Sequence, residues 1–197
     1  MKQFVVCITG ASGTIYGIRL MQYLSKENIV HLIVSDNGYI VLDRELGIKK
    51  SDFIKSLPEN VKLYNNKDIS APLASGSRLV EMEGVIVAPC SMGTLSSIAN
   101  GTAGNLIHRV CDVALKERKK LFLLLREMPY SLIHIKNMEQ VTLAGGIVSS
   151  ASPGFYHYPK TVEDMINFVV GKILDSFGIE HSLYKKWMKG EKINENI

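Results

Sequence analysis

A chain of 197 residues, 46% apolar and 21% charged with a net charge of +4, has the balance of a globular protein with room for one substantial core. No apolar run is long enough to cross a bilayer, and Met1-Lys2 leads into a strand pattern rather than a signal peptide, so no membrane role is expected. No basic block is interleaved with aromatics, which argues against nucleic acid, while Cys7, Cys90 and Cys111 lack metal-ligand spacing and suit a reducing cytoplasm.

The first element, Phe4–Thr9, is apolar at nearly every position and runs through Gly10-Ala11-Ser12-Gly13 into a helical pattern over 14–26. Such a junction points backbone N–H groups and the positive end of a helix dipole at one spot, where a phosphate fits. Gly10 and Gly13 permit close approach, and Ser12 adds a hydroxyl. The spacing is neither a P-loop nor the dinucleotide fingerprint, and a plain βα turn accounts for these residues equally well on their own. Strand Val30–Ser35 and helix 37–46 follow, then Val61–Tyr64, which carries the least strand character. Strand Gly84–Ala88 leads to helices 92–100 and 105–118, Lys120–Leu125 to helix 131–142, and Gly146–Ser149 to helix 162–177. In the last helix Val162, Met165, Ile166, Val169, Val170, Ile173, Leu174 and Phe177 form one apolar stripe, with Thr161 and Asp164 as a capping pair and Lys172 on the flank. The alternation predicts an α/β fold: a single-domain, Rossmann-like (flavodoxin-like) three-layer sandwich with a parallel sheet and helices on both faces. Residues 1–184 are assigned to that domain and 185–197 to a polar C-terminal tail.

Ligands of open parallel sheets bind beyond the carboxyl ends of the strands. Those ends offer Gly10–Gly13, then Ser35-Asp36-Asn37, then Pro89-Cys90-Ser91-Met92-Gly93-Thr94, then Arg126-Glu127 and finally Pro153-Gly154-Phe155-Tyr156-His157. Small hydroxyl residues at helix starts beside an arginine suit a phosphate and a polar heterocycle, although ordinary helix capping explains Ser91 and Thr94 taken alone. Arg109, Asp112 and Lys116 share one helical stripe. By themselves they read as a solvated face with an Asp112–Lys116 pair; beside Arg126 and Glu127 they also read as cations and a carboxylate for a phosphate-bearing substrate and proton transfer. The five histidines show no metal spacing, and no nucleophile elbow or acidic magnesium cluster occurs.

These segments, together with Ala71-Pro72-Leu73-Ala74-Ser75-Gly76-Ser77, Asp112-Val113-Ala114-Leu115-Lys116-Glu117-Arg118 and Leu183-Tyr184-Lys185-Lys186-Trp187, resemble the flavin prenyltransferase family, older members of which were labelled aromatic-acid decarboxylases. The resemblance covers nearly the whole chain. It implies an enzyme that joins the dimethylallyl group of dimethylallyl monophosphate to N5 and C6 of reduced FMN. The product, prenylated FMN, serves a separate decarboxylase, and family members form dodecamers with sites at subunit interfaces.

Carried over by position, Gly10, Ala11, Ser12, Gly13, Ser35, Ser91, Met92, Gly93, Thr94 and Arg126 bind FMN. Tyr156 and Lys172 take the donor phosphate with Arg109, Lys116 and Glu45, and Glu127, Lys116 and Tyr156 carry the catalysis. The chain departs from the family pattern at Gly93 (often lysine), Gly104 (often Asp or Asn), Leu125 (usually proline) and Lys172 (arginine in some relatives), where an ammonium replaces a bidentate fork. Two other readings share the fold: an FMN-dependent decarboxylase acting directly on its substrate, and a non-catalytic FMN carrier.

Overall fold

In the computed structural model, which describes residues 1–187, six runs of β-branched and aliphatic residues pair in parallel. They are β1 (Gln3–Ile8), β2 (Ile29–Val34), β3 (Val61–Asn65), β4 (Gly84–Cys90), β5 (Lys120–Leu125) and β6 (Ile147–Ser150). Their order across the sheet is β3-β2-β1-β4-β5-β6. The order in which successive strands are added therefore reverses between β1 and β4, the switch point at which Rossmann-like sheets open a crevice. Phe4 of β1 lies opposite Val30 of β2 on one side and Gly84 of β4 on the other. β4 and β5 keep register up to Val87 and shift before Cys90.

The helices are α1 (Thr14–Leu24), α2 (Asp36–Leu46), α3 (Lys50–Lys55), α4 (Gly76–Leu79), α5 (Met92–Ala99), α6 (Leu106–Lys116), α7 (Leu132–Leu143) and α8 (Val162–Ser176), with a 3₁₀ turn at Pro72–Ala74. Strand neighbours alternate faces, yet both sets are buried. Val5, Cys7, Val85 and Val87 join one core with Leu95 of α5 and Val110, Cys111 and Ala114 of α6. Phe4, Val6 and Ile8 point the other way, where α1 packs closely enough for Gly17 to meet the Ile8 side chain. That double cover explains why the strands read as continuous apolar runs. Burial pushes the thiols of Cys7, Cys90 and Cys111 well above their ordinary pKa, as expected of small core residues.

Six strands and six helices agree with the sequence reading to within one or two residues. Three short elements were not anticipated: α3, the 3₁₀ turn and α4. Each is six residues or fewer and buries one large side chain, Phe53, Leu73 or Leu79, so none carries a helical period.

Within this fold the described residues group into two compact units, 1–151 and 152–187. The first unit holds the whole sheet and helices α1–α7. The second holds the loop 152–161, α8 and the segment that follows it. The expected tail at 185–197 falls mostly on 188–197, outside the described residues. Among the described residues no helix is long and apolar enough to cross a membrane.

Candidate functional site

The switch point is tied together by one hydroxyl. Thr9, 2% exposed at the end of β1, donates from Oγ1 to the Pro89 carbonyl at 2.8 Å and accepts from the Ser91 N–H at 2.8 Å. Its own N–H reaches the same carbonyl. Thr9 thus holds the loop after β1 against the loop after β4, and it is a site residue the sequence reading passed over. A polar residue closing an apolar strand was the available signal.

Around this staple the loop Gly10–Gly13 is crowded by design. A Cβ on Gly10 would lie 2.4 Å from Asn37 Cβ, and Gly13 sits at φ 94°, a left-handed conformation, as the N-cap of α1. Ser35 caps α2 by accepting from the Gly38 N–H at 2.9 Å. Ser91 caps α5, accepting from the Thr94 N–H at 3.3 Å while its hydroxyl donates to Thr94 Oγ1 at 3.1 Å. The capping role is therefore real for both serines, and the buried Thr94 is engaged with Ser91. Met92 packs partly on the core, and a Cβ on the exposed Gly93 would meet nothing within 4 Å. Arg126 follows β5, and its Nε is buried without a hydrogen-bond partner among the described residues. Glu127 comes next, its Oε1 accepting from the Met128 N–H at 3.1 Å.

Glu45 is engaged within the chain. It lies on the last turn of α2, and its carboxylate sits on the N-terminus of α1. Oε1 and Oε2 accept from the Gly13 N–H at 3.1 and 3.0 Å, and Oε2 also accepts from the Thr14 N–H and hydroxyl at 3.2 and 3.1 Å. Partial burial opposes its ionisation, but the hydrogen bonds from Ser12, Gly13 and Thr14 hold its pKa below the ordinary glutamate value. The positive helix end predicted to hold a phosphate thus carries an internal anion in this structure.

Lys116 stands apart from Glu127 within the chain. Helix α6 starts beside Asn66, just past the carboxyl end of β3, with Leu106 N–H donating to the Asn66 carbonyl at 2.8 Å. It ends near the amino edge, where Lys119 N–H meets the Ala114 carbonyl and Lys119 Nζ reaches the Val80 carbonyl ahead of β4. Lys116 therefore lies at the amino end of β5 and Glu127 at its carboxyl end, a six-residue strand of roughly 20 Å apart. Within one chain the two do not meet. Arg109 pairs with Asp112 at 2.8 Å and donates from Nε to the Ala74 carbonyl at 3.3 Å, while Lys116 pairs with Glu117 rather than Asp112. A Cβ on Gly76 would lie 2.2 Å from Glu117 Oε1, so the Ala71–Ser77 segment runs along this charged stripe. Two clefts of about 270 and 240 Å³ open in the first unit, beside Arg118 and Lys120 and beside Asp36 and Tyr64; neither is lined by a predicted site residue.

Tyr156 and Lys172 belong to the second unit. Tyr156 stands edge-on to His157, Phe168 and Trp187, with ring centroids 5.9, 5.6 and 5.3 Å away. His157 stacks on Phe168 at 4.9 Å, and both its ring nitrogens are buried without hydrogen-bond partners among the described residues. Lys172 is exposed on α8. Thr161 and Asp164 form the expected capping box at the start of that helix.

Residues 1–174 match the family model described as Flavoprotein. The chain is 54% identical over 188 residues, 95% of its length and 99% of the relative's, to a flavin prenyltransferase UbiX of Aquifex aeolicus. A crystal structure of AnUbiX (PadA1) in complex with FMN and dimethylallyl pyrophosphate superposes with a TM-score of 0.88 at 37% identity, covering 94% of this chain and 97% of that one. A dodecameric FMN-dependent Ubix-like decarboxylase from Escherichia coli O157:H7 does so with a TM-score of 0.88 at 36% identity, covering 95% and 100%. With similarity running from end to end at these levels, the chain belongs to the flavin prenyltransferase (UbiX) group of the Flavoprotein family.

Proposed function

We propose that this protein joins the dimethylallyl group of dimethylallyl monophosphate to N5 and C6 of reduced FMN and releases prenylated FMN to a partner decarboxylase in a reducing cytoplasm. The observation that carries the proposal is the 54% identity to a flavin prenyltransferase over 95% of the chain, spanning every loop at the carboxyl edge. The residues fit FMN: Gly10 leaves a backbone cradle that any side chain would fill, Gly93 is open, and Arg126 holds a buried guanidinium nitrogen that lacks a partner among the described residues. Gly10, Ala11, Ser12, Gly13, Ser35, Ser91, Met92, Gly93, Thr94 and Arg126 would hold it. Bound in reduced form, FMN contributes the nucleophilic nitrogen and the ring carbon that receive the prenyl group.

The chain's own task is to stabilise the phosphate dianion as the allylic C1–O bond breaks and to keep water from the carbon left behind. Lys116, Lys172, Tyr156 and Arg109 hold the phosphate. Glu127 takes the proton released at ring closure, with the departing phosphate as the competing acceptor. Glu45 orders the Gly10–Gly13 loop beside the donor. Because Lys116 and Glu127 lie at opposite edges of one sheet, the complete site takes Lys116 from a neighbouring copy. Exposed apolar residues support such association: Met128, Leu132 and Ile133, just past Glu127, are 65–87% exposed.

The test mixes the protein anaerobically with reduced FMN and dimethylallyl monophosphate, with mass spectrometry reading an added C5 unit. Unmodified flavin beside intact allyl phosphate would sink the proposal and favour a carrier or a direct decarboxylase. Replacing Glu127 by Gln is expected to stall a single turnover after phosphate release; unchanged turnover removes Glu127 from the proton step.

A further inference from the structure

The second unit contains a polar cluster around the half-buried Asp175 that the proposed chemistry does not use. After α8 the chain turns at Gly178, which has positive φ, and residues 181–187 return along the helix. They lie directly on its backbone. A Cβ on Gly171 would sit 2.6 Å from Tyr184 Cδ1 and Cε1 and 2.7 Å from His181 Cε1. One turn further on, Asp175 gathers three groups from this strap. It accepts from Tyr184 Oη at 2.5 Å and from Lys186 Nζ at 2.6 Å, and it lies 3.2 Å from Nε2 of His181, whose side chain is fully buried. Burial works against the Asp175 carboxylate, yet the bonds from Lys186 and Tyr184 prevail and hold its pKa below the ordinary aspartate value.

The strap continues into the aromatic cluster around Tyr156. The Tyr184 ring packs on Phe168 with centroids 4.7 Å apart, and the Trp187 ring meets Tyr156 edge-on. Gly154 presses the other wall onto Phe168, which a Cβ there would approach to 2.8 Å. Phe168, Lys172 and Asp175 are spaced by four and three, so the strap's anchor shares a helix stripe with the cation assigned to the donor phosphate.

We infer that Asp175 is a positioning residue for the donor phosphate: through Tyr184, Lys186 and the close approach at Gly171 it clamps residues 181–187 onto α8 and thereby fixes Tyr156 in its cluster. The inference rests on the proposed role of Tyr156. An aromatic ring held by neighbours on three sides needs no ordering when the phosphate arrives, so the clamp acts on donor affinity and not on the bond-breaking step.

The intact protein and its Gly171→Ala, Asp175→Ala and Tyr184→Phe variants are compared under saturating reduced FMN. Gly171→Ala adds one carbon under the strap and touches no binding group. It is expected to raise the KM for dimethylallyl monophosphate about tenfold with kcat and the FMN Kd within about twofold. The near-UV circular dichroism of the packed Tyr156, Tyr184 and Trp187 rings should weaken as the strap lifts. Asp175→Ala should match it, and Tyr184→Phe, which deletes one oxygen without a clash, should move KM the same way by about threefold and carries the test if the others fail to fold. A weakened near-UV signal with unchanged KM overturns the inference, as does an unchanged signal, since the strap would then tolerate the added carbon. A parallel fall in kcat and FMN binding also overturns it, because that marks general loss of structure. A wild-type protein that makes no prenylated FMN overturns this inference together with the proposed function, whereas an active wild type with unmoved variants overturns the inference alone.

Discussion

Gly17 is where α1 presses hardest on the sheet. A Cβ there would stand 2.1 Å from the Ala88 carbonyl oxygen and 2.7 Å from Ile8 Cγ1. The oxygen belongs to β4, held between β1 and β5, so it has no rotamer in which to move aside. Restoring ordinary contact takes a separation of helix and strand of about 1 Å in a core packed at crystal density. Overpacking costs about 1–3 kcal/mol, and the upper end applies because the obstacle is backbone. Alanine returns about 1 kcal/mol of helix propensity, leaving a net loss of about 2 kcal/mol and a Tm lower by roughly 4–8 °C for a chain of this length. The same displacement parts the loop after β1 from the loop after β4, so FMN affinity falls too. Gly93→Ala is the control, since its added Cβ meets nothing within 4 Å on the first turn of α5. It should be neutral or stabilising by up to about 1 kcal/mol. Urea and thermal unfolding at matched protein concentration, with FMN titration alongside, reads both variants. A Gly17→Ala midpoint equal to that of Gly93→Ala would refute the reasoning.

Thr9→Val keeps the shape and removes the hydroxyl that joins Pro89 to Ser91; it should cost about 1–3 kcal/mol in urea unfolding and weaken FMN binding. His31 is buried between Tyr64 Oη at 2.9 Å and Gln3 Oε1 at 2.8 Å, and desolvation, with Lys62 and Arg78 nearby, lowers its pKa to about 4. Its folded pKa lies below the unfolded one, so its stability contribution is full above pH 6.5 and is lost as pH falls through 4, a change of about 3 kcal/mol at most. Urea midpoints at pH 7 and pH 4.5 should diverge in the wild type and converge in His31→Gln. Finally, Lys116→Ala and Glu127→Gln chains, each inactive alone, should recover about a quarter of wild-type prenylation when unfolded together and reassembled in equal amounts, because a site shared between copies needs one intact contributor of each kind. No recovery, with mixed oligomers demonstrated, would place both residues in a single chain's site.

Much of this architecture was readable from local pattern. Continuous apolar runs announced strands covered on both faces, and Ser35, Ser91 and Thr161 stand at the helix starts that their side chains cap. These features depend on neighbours within four residues. The misses depend on contacts across the fold. Glu45 is 32 residues from Gly13, and nothing in the period of α2 says that its last turn meets the first turn of α1. Gly76 reads as a flexible turn until Glu117, 41 positions on, is found where its side chain would be. Spacing correctly placed Arg109 and Lys116 on one stripe of α6, yet a stripe says nothing of which edge of the sheet each end reaches.

That last point was decidable from topology. A helix that joins two parallel neighbours must run antiparallel to both, so its first turn faces the carboxyl edge and its last turn the amino edge. Lys116 is the final residue of α6, just ahead of β5. No rotamer of a lysine, with a side chain of about 6 Å, spans a strand of roughly 20 Å to join Arg126 and Glu127 at the other end. Chemistry that needs all three therefore requires two copies docked so that the amino-edge charges of one meet the carboxyl-edge loops of another. The exposed Met128, Leu132 and Ile133 sit beside Glu127, where such a docking surface would have to be. On the proposed roles of Lys116 and Glu127, association is a condition for catalysis, and dilution below the assembly threshold should abolish turnover while each chain stays folded.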